Sequence, residues 1–498
     1  MQQFLFPYEE PRKIQQAIMT QLYSCLENKQ NLLAHAPTGL GKTISFLAPA
    51  LTYALEKNLT LFFLTPKHSQ HYIALETIKQ IREQFKKNIK VVDFIGKKHM
   101  CLQPGAELMA NGEFHDYCRE LRKKDSCDFF LNLKHKTTRE LCLKKTAIPL
   151  HVEEFKSICK EHDLCPYEMA ALQGKEAKVI IADYYHILSP SIRESLLRRI
   201  QKNLSESIIY FDEAHNLPEK CRSLLTTNLS TLTIERALKE NKIYNFDYEK
   251  ELQAIYDNLL QLAKTMPIEK NEVLIKKQEF HVDTSLIEPM KEAAEIVREE
   301  QKKSSLGGVA HFLESWLGPD QAFTRMIQRG FTKTSKPYYN LSYQCLDPSL
   351  LMNQIEAHSL IFMSGTLSPT SMYLDLLGLS HKNTLVLEYD NPFPQKNRLN
   401  IIVPTTTTKF TKRDDAMYKR ISKICSDIVN VVPGNSTLFF PSYDLRDKVN
   451  YYFKHECNKT IILEHPKLTK QEKQETIDTF KSYSKTGATL LGAASGSF

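Results

Sequence analysis

Two short stretches hold the residues of this 498-residue chain with the plainest chemical meaning, Ala36-Pro-Thr-Gly-Leu-Gly-Lys-Thr43 and Asp212-Glu-Ala-His215. In the first, Gly39 and Gly41 permit a tight turn that aims successive backbone N–H groups at phosphate oxygens. Pro37, Thr38 and Leu40 complete the loop. Lys42 supplies a point charge for the β- and γ-phosphates, and the Thr43 hydroxyl can ligate magnesium. In the second, Asp212 can hold the same Mg2+ directly or through water. Glu213 can orient and deprotonate an attacking water, since phosphoryl transfer needs positioning and charge neutralisation more than covalent help. Either stretch alone would pass for an ordinary turn or helix start. Together they predict an ATP-hydrolysing motor core.

Such residues must be carried by particular elements. The apolar run Asn31-Leu-Leu-Ala34 precedes the glycine loop and Ile44-Ser-Phe-Leu47 follows it, which reads as strand, turn and helix. Ile208 to Phe211 is an apolar run that delivers the carboxylates at its carboxyl end, where open parallel sheets bind ligands. Upstream, Ile14, Ala17, Ile18, Leu22 and Leu26 recur at helical spacing behind Phe6-Pro-Tyr8. There Tyr8, Arg12 and Gln15 read either as an adenine clamp, with a ring for stacking and an amide for the base edge, or as a capped surface helix. Thr65-Pro-Lys-His-Ser-Gln70, at the end of the strand Leu61–Leu64, suits sugar-phosphate contacts. Tyr184, Tyr185 and His186 end another strand and are equally readable as base-stacking or packed aromatics. Ser364, Gly365 and Thr366 fall where a γ-phosphate or an inter-domain contact would be sensed. After Asn391-Pro-Phe-Pro394, strands alternate again with helices, predicting a second parallel sheet.

Length predicts two to four domains. The formal charge of +8 is compatible with nucleic acid but too mild to argue for it alone. No apolar run approaches a membrane span, and the N-terminus lacks the basic region of a signal peptide, so a cytoplasmic (or, in a eukaryote, nuclear) location without membrane partners is expected. Of eleven cysteines, six (Cys101, Cys118, Cys127, Cys142, Cys159 and Cys165) crowd into one lysine-rich stretch. A local cluster in a reducing compartment favours metal over disulfides. The spacing C-x16-C-x8-C of Cys101, Cys118 and Cys127, with Cys165 later and no C-x2-C pair, disfavours a zinc ribbon. Thiolates from irregular loops can hold a 4Fe-4S cluster; free buried thiols are the plainer alternative. From Leu229 to Ser342 the pattern is helical and charged, with no catalytic constellation, and Trp316 reads as core.

In this order the motifs resemble the XPD/DinG family of superfamily 2 DNA helicases along essentially the whole chain. The resemblance rests on Arg12-x-x-Gln15, Ala36–Thr43, the cysteine stretch ending in Cys165-Pro-Tyr167, Asp212–His215, Ser364-Gly-Thr-Leu-Ser-Pro369 and Phe439-Phe-Pro-Ser-Tyr443. It implies an α/β fold with two RecA-like parallel-sheet motor domains. The first is expected over 1–96 and 166–228 with 343–385, the second over 386–498. An iron–sulfur domain is expected at 97–165 and an α-helical arch domain at 229–342. The family implies ATP-driven 5′-to-3′ translocation on single-stranded or forked DNA, a role in DNA repair beside other repair proteins, and a monomeric motor. By the same resemblance His215 couples the ATP site to the DNA side. The cluster ligands map to Cys101, Cys118, Cys127 and Cys165, with Cys142 and Cys159 as substitutes for Cys118. The family's pattern continues past Gly496-Ser-Phe498 into an acidic stretch and an arginine-finger helix, so this chain is expected to be truncated and to hydrolyse ATP poorly. Two other readings stand beside this one. An RNA helicase of the Asp-Glu-Ala-His type would share the motor motifs but not the cysteines. A nucleotide-gated DNA-binding or scaffold subunit would lack unwinding.

Overall fold

The computed structural model describes residues 3–109, 111–300, 304–332, 334–397, 399–466, 468, 470–494 and 496. Of the turn expected at the carboxyl end, Ser495, Ser497 and Phe498 lie outside the described residues. The chain divides into a first unit, Met1–Phe393, and a second, Pro394–Phe498.

Short apolar runs build the first unit's main sheet. They are β1 (Asn31–His35), β2 (Thr60–Leu64), β3 (Val91–Phe94), β4 (Val179–Ala182) and β5 (Ser207–Asp212). Four strands of a separate sheet follow, β6 (Thr227–Ser230), β7 (Glu272–Leu274), β8 (Phe323–Phe331) and β9 (Pro337–Cys345). The chain then returns to the main sheet with β10 (Ser359–Ser364) and β11 (Thr384–Glu388). The resulting order is β11-β1-β10-β5-β2-β4-β3, with every pairing parallel. Apart from the edge strand β11, where Val386 and Glu388 are exposed, the strands are buried on both faces, so their side chains alternate between two cores. Phe62, Leu64, Ile209, Phe211 and Phe362 enter one core, whereas Leu61, Phe63, Ile208, Tyr210 and Met363 enter the other. The boundary expected at 385 falls inside β11, whose Leu385 and Val386 pair with Leu32 and Leu33 of β1. An apolar edge strand reads the same in either neighbouring sheet, and only the pairing assigns it.

The cysteine-bearing segment leaves the sheet after β3 and returns at β4. It carries the helices Lys97–Met100, Asn111–Lys123, Asp128–Leu131, Lys136–Lys145, Val152–Glu161 and Pro166–Glu176. Polar atoms fasten it to the sheet. Asp93 in β3 is buried; its Oδ1 lies 2.5 Å from His71 Nδ1, and its Oδ2 accepts the Val152 N–H at 3.1 Å. Gln173 Nε2 donates to Val91 O (3.1 Å) and Thr146 O (2.6 Å). Arg82 donates to the carbonyls of Ile89 and Ala147, both at 3.0 Å.

The segment between β5 and β10 is helical, with Thr231–Ile243, Glu249–Lys264, Ile287–Glu300 and Ser305–Trp316. It also holds the antiparallel sheet β6-β9-β8-β7, which the sequence reading left out. Alternation in β8 and β9 accounts for that sheet. Phe323, Arg325 and Ile327 pair with Cys345, Tyr343 and Leu341 on one face, toward Trp316. Trp316 is fully buried and donates to Lys277 O, and the Arg325 guanidinium lies 5.2 Å from its ring and 4.6 Å from that of Tyr343. The second unit has a parallel sheet of β12 (Ser436–Phe440), β13 (Thr460–Leu463) and β14 (Ala488–Ala493) in the order β12-β14-β13. The helices Asp415–Val431 and Tyr443–Phe453 close a small core on it around Val429, Leu445, Phe453 and Leu491. Among the described residues no helix is long and apolar enough to cross a membrane.

Removing Asp93 strands both the His71 imidazole and the Val152 N–H in the interior. Asp93→Ala is expected to destabilise the first unit by about 2–4 kcal/mol, seen as a lower urea midpoint. A midpoint within error of the parent would show that the inserted segment is held elsewhere.

Candidate nucleotide site and cysteine cavity

The glycine loop follows β1 and enters the helix Lys42–Glu56 at Gly41, which takes the left-handed conformation with φ 71°. Gly39 is also left-handed, at φ 95°. Both positions therefore favour glycine. Ala36 and Leu40 are buried and anchor the loop, while Thr38 and Gly39 are exposed and Pro37, Lys42 and Thr43 half-buried. β1 is flanked by β10 and β11, and β10 separates it from β5. Ala36 N–H donates to Ser364 O at 2.9 Å, and a Cβ placed on Gly365 would lie 3.4 Å from Lys42 Nζ. Gly365 is thus the close approach between the Ser-Gly-Thr turn and the phosphate-loop lysine.

Across β10 stands the carboxyl end of β5. Asp212 is buried and accepts the Glu213 N–H at 3.1 Å. Burial, and then the Glu213 carboxylate, push its carboxyl up to about 7, against the pull of Lys42. Glu213 itself turns the chain in the left-handed region, at φ 52°. Three polar groups meet at Ser364 Oγ. The hydroxyl donates to Glu213 Oε2 at 3.0 Å, His215 Nδ1 lies 2.7 Å away, and the Thr366 N–H donates at 3.2 Å. Asn216 Nδ2 sits 3.0 Å from His215 Nε2. This network assigns the His215 proton to Nδ1, because Nε2 has an amide donor in front of it. Lys42, Asp212, Glu213, His215 and Ser364 therefore share one end of one sheet.

Tyr184 belongs to the same end in a role the sequence did not disclose. It is buried, its hydroxyl donates to Asp212 O, and it holds the backbone that presents the carboxylates. The stacking role considered for it is thereby excluded. Tyr185 is partly exposed with Lys220 Nζ 5.7 Å from its ring, and His186 is buried with Nδ1 3.1 Å from Asp183 Oδ1.

Around the loop's outer rim, Arg12 Nη1 donates to Gly39 O and Gln15 Nε2 to Leu40 O, both at 3.1 Å. Gln15 Oε1 in turn accepts the Arg12 N–H at 2.9 Å. Tyr8 is exposed, with its hydroxyl 3.2 Å from Gln80 Oε1 and its ring edge-on to Phe6. Arg12 and Gln15 reach the loop. Tyr8 is drawn toward Gln80.

Cys101, Cys118, Cys127 and Cys165 line one cavity with Lys97, Tyr167 and Arg122. Cys142 and Cys159 are elsewhere, buried with sulfurs 3.9 Å apart. Short tethers gather the lining residues. Cys165 N–H donates to Phe129 O at 2.8 Å, and Gln103 Nε2 lies 3.6 Å from Cys127 Sγ. Burial raises the Cys101 thiol and pushes that of Cys165 up to about 12. Among the described residues no three His, Cys, Asp or Glu side chains converge as a ready site for a metal ion. A second, larger cavity opens at the ends of β2, β3 and β4, lined by His68, His99, His115, His186, Lys97 and Tyr185 among others. Its histidines come from sequence-distant elements and left no pattern in the sequence.

A glycine loop, a carboxylate pair and a Ser-Gly-Thr turn at one edge of a parallel sheet define a P-loop motor of the helicase class. Residues 63–234 match the DEAD_2 family, residues 425–498 the helicase C-terminal domain and residues 12–111 the DEAD/DEAH box helicase family. The chain is 22% identical to the general transcription and DNA repair factor IIH helicase subunit XPD/RAD3 of Saccharomyces cerevisiae, over 99% of this chain and 76% of that protein. It is 25% identical to the ATP-dependent DNA helicase XPD of Sulfolobus acidocaldarius, over 97% of this chain and 80% of that one. A solved XPD helicase has the same fold, with a TM-score of 0.58 at 21% identity, over 99% of this chain and 82% of that one. The chain belongs to the XPD/DinG-like helicases of superfamily 2.

Asp212 generates a pH dependence. Its value of about 7 lies above the ordinary 3.8, so below pH 7 the carboxyl is mainly protonated, and a proton would compete with any Mg2+ held there. Calorimetric titration of Mg2+ into nucleotide-free protein is expected to show about tenfold weaker binding at pH 6 than at pH 8. Glu213→Gln removes a repelling charge and should move this transition to lower pH, whereas Asp212→Asn should bind weakly at every pH. Equal affinity at pH 6 and 8 in the parent would rule out Asp212 as the titrating ligand.

Proposed function

We propose that this chain is an ATP-driven motor that translocates 5′-to-3′ on single-stranded or forked DNA and carries a 4Fe-4S cluster in its cysteine-bearing insertion. The observation that carries the reading is the pairing of the two sites on one sheet. The nucleotide groups gather at the ends of β1, β10 and β5, and the four-cysteine cavity lies in the segment spanning β3 to β4.

In this reading the loop N–H groups, Lys42 and Thr43 hold the triphosphate, and Thr43 and Asp212 hold Mg2+. Glu213 takes the proton of the attacking water, and Arg12 and Gln15 face the base. His215 and Ser364 report the state of Glu213 to neighbouring strands. Residues 97–165 form the iron–sulfur domain and residues 229–342 the arch. The cavity at the ends of β2, β3 and β4, with its lysines, histidines and Tyr185, suits a phosphodiester backbone with intermittent base stacking. Resemblance to a repair-factor subunit supports DNA repair beside protein partners.

The donor set fits the cluster. Four cysteines line one cavity, and thiolates that each bind a different iron need not approach one another as ligands of a single ion must. Bound there, a cluster would supply thiolate–iron bonds that lock together four otherwise short loops. Arg122, stacked 3.8 Å over Phe130 and ion-paired with Glu168 at 3.3 Å, would place positive charge beside the thiolates.

Anaerobically purified protein is expected to hold about four irons per chain. Cys101→Ser or Cys165→Ser should lose them, and Cys142→Ser or Cys159→Ser should not. Zinc, or no metal, in folded protein would overturn the cluster assignment. Lys42→Ala is expected to lower DNA-stimulated ATP hydrolysis by at least about 100-fold, and preferential unwinding from a 3′ tail would overturn the polarity.

A further inference from the structure

The segment following β11 brings an aromatic ring onto the phosphate loop. Tyr389 fixes its start, with its N–H donating to His35 O at 3.0 Å and its hydroxyl to Gln21 Oε1 at 2.7 Å. Asn391 Oδ1 then accepts the Phe393 N–H at 2.9 Å, and Pro392 stiffens the turn between them. Phe393 meets the loop at Gly39, where a Cβ would lie 2.6 Å from ring carbons Cε2 and Cζ and 3.3 Å from Pro392. A bare Cα at Gly39 is therefore required twice, by the left-handed backbone and by the ring resting on it. Despite that contact Phe393 remains 62% exposed.

The carbonyls beneath this ring are those gripped by Arg12 and Gln15, at Gly39 and Leu40. The ring thus stands at the rim where the phosphate cradle meets the two residues that can read a base edge. The other aromatic of the rim, Tyr8, has its hydroxyl on Gln80 and its ring against Phe6. Both rings are exposed, but Phe393 is the one that rests on the phosphate loop itself, at Gly39.

We propose that Phe393 is the platform on which the nucleotide base stacks, giving the site a preference for purines. The proposal rests on the reading of Ala36–Thr43 as the ATP site. A half-exposed, backbone-fixed ring next to a hydrogen-bonding amide supplies the two things base recognition needs: a flat apolar surface and an edge contact. Stacking depends on ring area, so a purine gains more than a pyrimidine, and a chain of phosphates without a base gains nothing.

The test is calorimetric binding of ATP, CTP and inorganic tripolyphosphate, each with Mg2+, to the full chain. Phe393→Ala is expected to weaken ATP by about 10-fold or more and to erase the preference for ATP over CTP. Tripolyphosphate binding should stay within about twofold. Phe393→Leu keeps an apolar side chain on Gly39 but no ring plane, and should lose as much as the alanine variant; Phe393→Trp should keep the preference. Unchanged ATP affinity in Phe393→Ala would overturn the proposal. So would an equal loss for tripolyphosphate, which would mean that the ring shapes the loop. Lys42→Ala separates the two readings, since it must weaken all three ligands. If it weakens none, the ATP site lies elsewhere and the platform falls with it; if it weakens all while Phe393→Ala weakens none, only the platform falls.

Discussion

The hydroxyl of Ser364 has one proton to give and two lone pairs to fill, and its surroundings use all three. The proton goes to Glu213, and the lone pairs take N–H groups from His215 and Thr366. Its own carbonyl receives the N–H of Ala36 at the start of the phosphate loop. One residue on β10 therefore ties the carboxylate that would activate water, the histidine beyond it and the loop that would hold phosphate. This is possible because β10 lies between β1 and β5, although it follows β5 by some 150 residues in the chain. The whole arrangement depends on that insertion of a late strand between two early ones. Without it, Asp212 and Lys42 would belong to the same sheet without a common intermediary.

Both inserted segments keep the motor sheet intact because each leaves and returns at strand ends. The cysteine-bearing segment is docked through Asp93, Gln173 and Arg82, whose partners are mostly backbone atoms of the sheet edge or of the segment itself. Backbone-directed hydrogen bonds constrain position without demanding a particular neighbouring side chain. The cavity of Cys101, Cys118, Cys127 and Cys165 then hangs from a fixed edge. The sheet-bearing helical segment has a core of its own around Trp316, Phe280 and Phe312.

The sequence was most readable where chemistry and periodicity coincide. Ala36–Thr43 and Asp212–His215 follow buried strands, and both occupy the sheet edge that a parallel fold reserves for ligands. The cysteines were readable as a cluster, but spacing could not separate Cys118 from Cys142 and Cys159. That separation is made by helix faces, since Cys118 turns toward the cavity while Cys142 and Cys159 turn toward each other in the core. Tyr184 was ambiguous because a strand-end aromatic can face solvent or fold back, and only the carbonyl of Asp212 decides it. Phe393 and the histidines of the second cavity were illegible for a different reason. Their partners are distant in the chain, and a ring on a bare Cα leaves no periodic trace.

The electrostatics of the site argue that it is built incomplete. Asp212 is buried beside Glu213, and the pull of Lys42 does not bring its carboxyl back to the ordinary range. Two adjacent carboxylates, one buried and one half-buried, repel each other, and the fold keeps them there through the hydrogen bonds of Tyr184, Ser364 and the Glu213 N–H. A divalent cation entering between Thr43 and Asp212 would relieve that repulsion and free Glu213 to act on water. Such repulsion would be relieved by a bound cation. In the proposed reading, nucleotide–metal binding would be the event that completes the carboxylate pair. Ser364, hydrogen-bonded to Glu213 and joined to the phosphate loop through its backbone, is placed to pass that change along β10.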